Sequence, residues 1–342
     1  KASPEKREAL LKEANDLCQQ FLTGNEKHRF YPVAEREAES LRTDTIKAQS
    51  AAARALAQKD PEGAKKMRAE LAKNLESVAD KHKAVLDAAL PKFTAAYAAF
   101  NKWKTEYGKA HPDVEDAQPP REVLVPLDRC FNDWIVADQR WVSAKVDQVE
   151  CYDDSDSDKK ALADKMIEYC GKMAENEAIQ NFPLVAAWYK LMQGRIYAAV
   201  QNEEKAGESW KEALDGVGDM QNPTPAQNKQ LQAIRRLILH DLVKLRMRTK
   251  KYGEVVNIVM GSLAEPALAP LFEESSGKEL IIDYAKAITL QADAGQNDYE
   301  NALKVLGKQI EKENGPGGNP GWAGQYMLAM AEILVQSRKI NM

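Results

Sequence analysis

The chain has few of the residues that break or cross-link helices. Its 342 residues include only 18 glycines, 15 prolines and 4 cysteines. The cysteines form no CxxC pair, so neither a zinc module nor a disulfide framework is predicted. The apolar runs are short as well. A membrane-spanning helix needs about 20 apolar residues, and we therefore expect a soluble chain with no membrane span.

An excess of one charge is also missing. The chain carries 48 basic and 52 acidic residues, a formal net charge of -4, and the two signs are mixed along its length. Domains that bind nucleic acid usually carry a clustered basic surface, so nucleic acid is not expected as a partner. The same argument speaks against a strong attraction to anionic lipid.

The sequence offers no motif typical of catalysis or metal binding. It contains no HExxH, no GxSxG and no phosphate-binding loop. The acidic run at 153–158 resembles a calcium loop, but Lys159 and Lys165 stand where such a loop needs glycine and glutamate. The sequence therefore predicts a protein that is not an enzyme and that uses no metal and no cofactor.

Residues that favour helices dominate what is present, namely Ala, Leu, Lys, Glu and Gln. An amphipathic helix is predicted for PEKREALLKEANDLCQQFLTG, and an Ala-rich helix from about Val33 to Gln58. A long apolar stripe follows, with the alternating three- and four-residue steps of a helix packed along its length. Its members are Met67, Leu71, Leu75, Val78, His82, Val85, Ala89, Phe93, Ala96, Phe100, Trp103 and Tyr107.

This stripe predicts a long helix that packs against the two helices before it. Residues 1–110 should then form a long helical hairpin or small bundle. Pro91 lies inside the stripe, and a proline within a helix removes a backbone hydrogen bond and clashes with the preceding turn. We therefore predict a kink or break near Leu90.

A stretch rich in proline and acid, HPDVEDAQPPREVLVP, occupies residues 111–126 and has no helical period. It is predicted to be a loop that links residues 1–110 to the rest of the chain. A further helix should follow it, with one apolar side. The members of that side are Leu127, Phe131, Trp134, Ile135, Trp141 and Val142. The whole chain is thus predicted to be all-α.

Paired helical segments with a recurring pattern occupy much of residues 127–342. In NFPLVAAWYKLMQGRIYAAVQNEEKAGESWKEALDG, Gly194 and Tyr197 precede Ala206, Trp210 and Ala213 at set intervals. The pattern resembles the tetratricopeptide-repeat (TPR) family, in which small residues lie where two helices cross and large aromatic residues fill the space beside them. The resemblance implies a TPR-like α-solenoid of helix pairs after the N-terminal hairpin or bundle.

Two weaker copies follow the first. LILHDLVKLRMRTKKYGEVVNIVMGSLAEP has Val255 and ELIIDYAKAITLQADAGQNDYENALKVLGKQIE has Ala302 at the position of Ala206, at intervals of 49 and 47 residues. These intervals exceed the family's usual repeat of about 34 residues, so we expect longer helices or connections. The final segment, GWAGQYMLAMAEILVQSRK, is predicted to be an incomplete last repeat.

The resemblance also implies where a ligand would bind. Family members bind ligands along the surface made by the first helix of each pair, and the matching positions in this chain are basic and amphipathic. The predicted partner-binding residues are Trp188, Arg195, His240, Lys244, Arg248, Tyr284 and Gln291. Arginine and lysine form charge-assisted bonds with carboxylates, so the expected partner is a protein or peptide, with an acidic segment favoured.

The function predicted from these features is a protein–protein interaction scaffold or adaptor. One alternative is a structural or assembly subunit that oligomerises through its helices within a larger complex. Another is an enzyme whose site is dispersed over several helices and has no recognisable spacing. The chain starts at Lys1 and ends within a helical pattern. We therefore expect a processed or truncated piece of a longer protein, and its compartment stays open.

Overall fold

The computed structural model describes residues 4–25, 28, 45–46, 49, 53, 56, 60–111, 118–153, 156–218, 223–264 and 268–340. Most of these residues lie in α-helices, and none of them lies in a strand. The all-α prediction is confirmed. The predicted helix from Val33 to Gln58 falls largely outside the described residues.

The helices are named in chain order. They are α1 (Pro4–Leu22), α2 (Pro61–Ala110), α3 (Arg121–Cys151), α4 (Ser157–Ala174), α5 (Glu177–Gln180), α6 (Pro183–Ala199), α7 (Glu203–Gly218), α8 (Pro225–Arg248), α9 (Tyr252–Ala264), α10 (Ser275–Leu290), α11 (Gln296–Asn314) and α12 (Pro320–Ile340). A short 3-10 helix, Ala269–Glu273, precedes α10. The chain divides into two compact units, Ala2–Glu168 and Tyr169–Met342, and the division falls within α4.

The first unit is built on α2 and α3, which pack against each other extensively. Helix α2 starts after Asp60, whose side chain accepts a hydrogen bond from the backbone N–H of Gly63 at 2.9 Å. The ring of Phe93 stacks on that of Trp134 of α3, with ring centroids 4.3 Å apart. Helix α2 thus pairs with the helix that follows it, whereas the sequence predicted a hairpin contained within residues 1–110.

Pro91 does not interrupt α2, which continues from Pro61 to Ala110. The predicted break near Leu90 is therefore wrong. A proline removes one backbone hydrogen bond, but the turns on both sides of it are held against α3. Phe93 packs on Trp134, and the Lys83 ammonium lies 5.9 Å from the ring centroid of Trp141.

The predicted loop at 111–126 was too long at its C-terminal end. Helix α3 begins at Arg121, so residues 121–126 are helical and include Pro126. The carbonyl of Pro120 accepts hydrogen bonds from the N–H groups of Val123 and Leu124, both at 3.0 Å. Pro126 is the sixth residue of α3 and removes the backbone hydrogen bond to the carbonyl of Glu122, so α3 accommodates an internal proline as α2 does.

The second unit is a succession of helix pairs. Helix α6 packs closely on α7, α8 contacts α6, α7, α9 and α10, and α12 packs on α10 and α11. Helix α8 starts with a reciprocal capping arrangement between Thr224 and Gln227. One buried apolar cluster joins α8 to α12. It includes Leu239, Val243, Val255, Val259, Leu280, Ile281, Tyr284, Ile288, Tyr299, Leu306, Trp322, Tyr326 and Ile333.

Candidate functional site

Trp210 is the large aromatic residue of the predicted repeat pattern in α6 and α7, the segment that best matches that pattern. Its side chain is 2% exposed, and its indole N–H donates a hydrogen bond to the carbonyl of Leu191 at 3.3 Å. A Cβ atom at Gly194 would lie 2.3 Å from the Trp210 ring, so only glycine leaves room for the indole. Ala206 and Ala213 are buried on the same helix as Trp210. The predicted packing of small residues beside a large aromatic residue is confirmed for α6 and α7.

Helices α6, α8 and α10, which the repeat pattern predicts to be the first helices of its pairs and which we call the first helices, contact one another in succession. They carry six of the seven predicted partner-binding residues, and Gln291 follows as the C-cap of α10. The seven residues fall into two groups. Arg195, His240, Lys244 and Arg248 contact residues of neighbouring helices, and Trp188, Tyr284 and Gln291 form the other group.

Three contacts link α8 to α10 and its N-cap residue Glu274, and we call them the ion-pair ladder, in which the His240 contact is an ion pair only when the imidazole is protonated. Arg236 pairs with Glu274, the His240 Nε2 lies 4.0 Å from the Glu279 Oε2, and the Lys244 Nζ lies 2.5 Å from the Asp283 Oδ2. Lys244 remains 45% exposed at its side chain, whereas Asp283 is only 10% exposed. The ladder therefore ties two first helices together through side chains that were predicted to face a ligand.

Similar contacts link α6 to α8. The Arg195 Nε lies 3.6 Å from the Asp241 Oδ2, and Asp241 also lies 3.2 Å from the His240 Nδ1. Arg248 donates a hydrogen bond to the carbonyl of Ala198 at the end of α6. Arg195 and Lys244 thus each lie beside a carboxylate of a neighbouring helix, and Arg248 donates to a backbone carbonyl. That these residues bind a partner stays a prediction.

The C-terminal turn of α8 also binds the start of α7. The Arg246 Nη1 donates to the Glu203 Oε2 at 3.0 Å, and the Lys251 Nζ donates to the same oxygen at 2.8 Å. The hydrogen bond from Lys251 holds the pKa of the Glu203 carboxyl below its usual range, and the charge of Arg246 acts in the same direction. A basic last turn is also favoured by the helix dipole.

Tyr284 is the predicted site residue that the structure contradicts. It is 1% exposed, within the cluster between α8 and α12, and therefore cannot contact a partner. Burial raises the pKa of its hydroxyl to about 12, and the charge of Asp298 adds to this shift. The reason is packing, since α10 contacts α8, α9, α11 and α12.

Trp188 and Gln291 are half-buried and lie apart from the ladder contacts. The Trp188 ring meets that of its neighbour Tyr189 edge to face, with centroids 5.1 Å apart. Gln291 lies beside Gly253 at the start of α9, where a Cβ on the glycine would come within 3.8 Å of the amide nitrogen. Leu237, between two rungs of the ladder, is 42% exposed and adds apolar surface to the first helices.

The sequence reasoning missed the acids of this site, Asp241, Glu279 and Asp283. A signal for them exists. His240 and Lys244 are four residues apart on α8, Glu279 and Asp283 are four residues apart on α10, and each pair is separated by 39 residues. Two such i,i+4 series of opposite charge on neighbouring first helices can align rung by rung.

Other kinds of site were sought in the described part of the chain. Within it, no group of three or more His, Cys, Asp or Glu side chains is placed to hold a metal ion. None of the helices in those ranges is both long enough and apolar enough to cross a membrane. The four cysteines are free thiols, with Cys151 and Cys170 buried.

Comparison of the chain with models of protein families, with curated proteins and with solved structures finds no match in any of the three. The resemblance to the TPR family therefore stays a prediction. Chemically, the first helices offer half-exposed apolar groups, Trp188 and Leu237, beside paired charges. Such a surface suits contact with another macromolecule.

Proposed function

We propose that the chain is a protein–protein interaction scaffold. In this proposal the helices from α6 to α12 form a TPR-like solenoid, and partners bind across the first helices α6, α8 and α10. Support comes from the succession of contacts between these helices and from the packing of Trp210 against Gly194. Stacked helix pairs present extended surfaces suited to a protein ligand.

A single observation carries the proposal, namely the exposed Leu237 among paired charges. It is 42% exposed, and its sequence neighbour Arg236 and the nearby His240 belong to the ion-pair ladder. Binding energy at protein interfaces is concentrated in a few apolar or aromatic anchors surrounded by polar groups that exclude water. Leu237 and the half-buried Trp188 are the anchors that this surface offers.

The ion-pair ladder also changes the kind of partner that can bind to α6, α8 and α10. A partner carboxylate must compete with Asp283 for Lys244 and with the Ala198 carbonyl for Arg248. An apolar partner side chain over Leu237 has no such competitor. We propose a protein or peptide ligand anchored by apolar groups, with carboxylates that contact the exposed Lys244 and Arg248 at the edge.

The experiment uses a photo-crosslinking amino acid placed at Leu237. The matched control carries it at Leu214, which is 37% exposed but lies on the second helix α7. Proteins crosslinked at 237 and not at 214 are then purified as ligands. Replacing Leu237 by Asp should weaken their binding by about tenfold or more. Leu214→Asp should change it little.

The proposal is wrong if both positions crosslink the same proteins, or if Leu237→Asp retains full affinity for a ligand purified in this way. Far-ultraviolet circular dichroism of both variants separates loss of binding from loss of folding. Leu237 is already substantially exposed, so its replacement should leave the helical signal unchanged.

A second candidate function, assembly with copies of itself, is favoured by α12. An exposed apolar stripe follows its surface at helical spacing and comprises Met327, Leu328, Ala331, Leu334 and Val335. Glu332 is the only charged residue between 321 and 337, so two copies of the stripe would not repel each other. Sedimentation velocity tests this. Leu328→Glu with Val335→Glu should convert an oligomer to monomer, and a monomeric wild-type chain would exclude self-assembly.

A further inference from the structure

The α2–α3 hairpin is much less buried at its tip than at its base. We define the hairpin tip as residues 94–110 of α2 and 121–130 of α3. Every buried residue of α2 lies between Ala64 and Phe93, and every buried residue of α3 lies at or beyond Phe131. The tip nevertheless contains large apolar side chains. They are Tyr97, Phe100, Trp103, Tyr107, Val123, Leu124, Val125 and Leu127.

The aromatic residues of the tip form a continuous row along α2. From Phe93 through Tyr97, Phe100, Trp103 and Tyr107 to His111, successive ring centroids are 5.6, 6.5, 6.2, 5.3 and 4.3 Å apart. Neighbouring ring planes differ by only 18 to 33°. Three of these five ring pairs are stacked and two are tilted, and the edges of aromatic rings carry partial positive charge.

A groove of about 500 Å³ adjoins the tip and is lined by residues of both helices. Val85 and Val136 line it and are 57% and 48% exposed. Lys92 and Cys130, which also line it, are the sequence neighbours of Phe93 and Phe131. Incompletely covered apolar surface thus extends from Val85 to Tyr107, about 33 Å along α2.

The charge of this part of α2 is positive. Between residues 92 and 109 it has four lysines and one acid, Glu106, and all four lysines are exposed. The Lys102 Nζ lies 3.9 Å from the Glu106 Oε1. Lys92, Lys104 and Lys109 form no ion pair with any residue that the structure describes. The three acidic residues at 112–117 follow α2 in sequence. The excess of positive charge therefore belongs to α2, which carries the aromatic rings.

We propose that the hairpin tip and its groove bind an acidic amphipathic helix from a partner protein. Apolar residues of that helix, spaced at i, i+3, i+4 and i+7, would cover the aromatic row and complete a three-helix packing. Its flanking Asp and Glu side chains would meet the lysines of α2 and the positive ring edges.

Two other classes of ligand fit these observations less well. Single-stranded nucleic acid binds by stacking its bases on aromatic faces, and centroids no more than 6.5 Å apart leave too little space for a base between successive rings of the row. An anionic membrane is a broad surface that would also meet Glu122 and Asp128 of α3. The groove itself is lined by one acid, Asp133, and by two cations, Lys92 and Arg140, so an acidic helix meets a net positive charge there.

The experiment uses the whole chain and a displayed library of helical peptides about 18 residues long, or five turns. The library has apolar residues on one face and either Glu or Lys at each flanking position. The tip variant is Lys102→Glu with Lys104→Glu and Lys109→Glu. The matched control, Lys65→Glu with Lys66→Glu and Lys73→Glu, makes the same change at exposed positions nearer the base of the same helix.

We expect the selected peptides to carry Glu at the flanking positions. Their affinity should fall by about tenfold or more for the tip variant and by less than about twofold for the control. The proposal is overturned if no peptide is enriched, if Lys is enriched instead, or if both variants lose affinity equally. It is also overturned if an oligo(dT) strand or phosphatidylserine vesicles bind the wild-type chain more tightly than the best peptide. These outcomes leave the proposal for α6, α8 and α10 unaffected.

Discussion

The ion-pair ladder of the second unit and the hairpin tip of the first both place basic side chains along one helix. On α8 each of the rungs meets an acid of α10, as Lys244 meets Asp283. At the tip the lysines face no such series, and only Lys102 has a described acidic neighbour, at 3.9 Å. The lesson is that a basic helix face can serve structure or binding. The acids of the adjacent helix decide which.

The tryptophans of the two regions differ in the same way. Trp210 is enclosed, with its N–H bonded to the Leu191 carbonyl and its ring against Gly194. Trp103 is half-buried and contacts mainly the rings of Phe100 and Tyr107. An enclosed ring stabilises the fold that surrounds it, whereas a half-covered row retains apolar area for a ligand.

The largest expected effect is that of Trp210→Ala. Removing an enclosed indole should cost about 3–5 kcal/mol, because the cavity cannot close and the Leu191 carbonyl loses its donor. Trp103→Ala should cost at most about 1 kcal/mol, because its ring is already partly in water. Hydrogen exchange read by mass spectrometry follows the two units separately. If both substitutions lower the free energy of unfolding equally, then Trp103 is as enclosed as Trp210 and the comparison of the two regions is wrong.

A smaller effect is expected for Lys244→Glu. The new carboxylate would face Asp283, whose side chain is only 10% exposed, and the loss should be about 1–3 kcal/mol. Lys308→Glu on α11 is the control, since Lys308 is exposed and forms no ion pair with a described residue, and it should change stability by less than about 0.5 kcal/mol.

Adding Asp283→Lys to Lys244→Glu tests the pairing itself. The swapped pair should recover much of the lost stability, as measured by a double-mutant cycle of urea unfolding. If the double variant is no more stable than Lys244→Glu alone, then the ladder is an incidental contact and the first helices are held by apolar packing.

Local patterns predicted the helices and one repeat well. The register of Gly194 and Trp210 was predicted because it depends on two helices joined by a short turn, so that sequence spacing fixes their contact. The side of α3 that carries Phe131, Trp134 and Trp141 was predicted for a similar reason, and these residues are buried. Helical periodicity identifies which face of a helix is buried.

Periodicity does not say which helix covers that face, and the errors have this origin. Helix α2 was assigned to the helices before it, most of whose residues at 33–58 lie outside the described ranges, and its extensive packing on α3 was not predicted. Tyr284 was assigned to a ligand, whereas its position between α8 and α12 leaves it 1% exposed. The contacts of His240 and Lys244 with acids were not predicted, because Glu279 and Asp283 lie about 40 residues away, where only the tertiary structure brings them close.

A further expected effect concerns acid, at the buried pair Lys278–Glu313 of the second unit. Burial alone would raise the pKa of Glu313, but the hydrogen bonds from Lys278 and from the Asn319 backbone lower it overall. A carboxyl whose pKa is lowered in the folded state adds stability above its unfolded pKa of about 4.3. That stability is lost as the pH falls through the folded value.

The measurement is the urea midpoint of the second unit between about pH 6 and pH 3. The free energy of unfolding of the wild type should fall over this range. That of the Glu313→Gln variant should fall less, because glutamine gains no proton at this position. Identical slopes would show that other carboxyls cause the acid sensitivity.

The smallest expected effect on stability is that of Lys102→Glu with Lys104→Glu and Lys109→Glu. The three side chains are exposed and lose only the contact with Glu106, so the free energy of unfolding should change by about 0.5 kcal/mol or less. Repulsion between Glu106 and the new acid at 102 accounts for a few tenths of this. Thermal unfolding of the hairpin, followed by circular dichroism, is the measurement. A solvated lysine with no partner stabilises a fold little. A loss above about 1 kcal/mol would therefore mean that the tip lysines stabilise the folded state, as Lys244 of α8 does. Stability that stays constant while peptide affinity falls would assign them to binding.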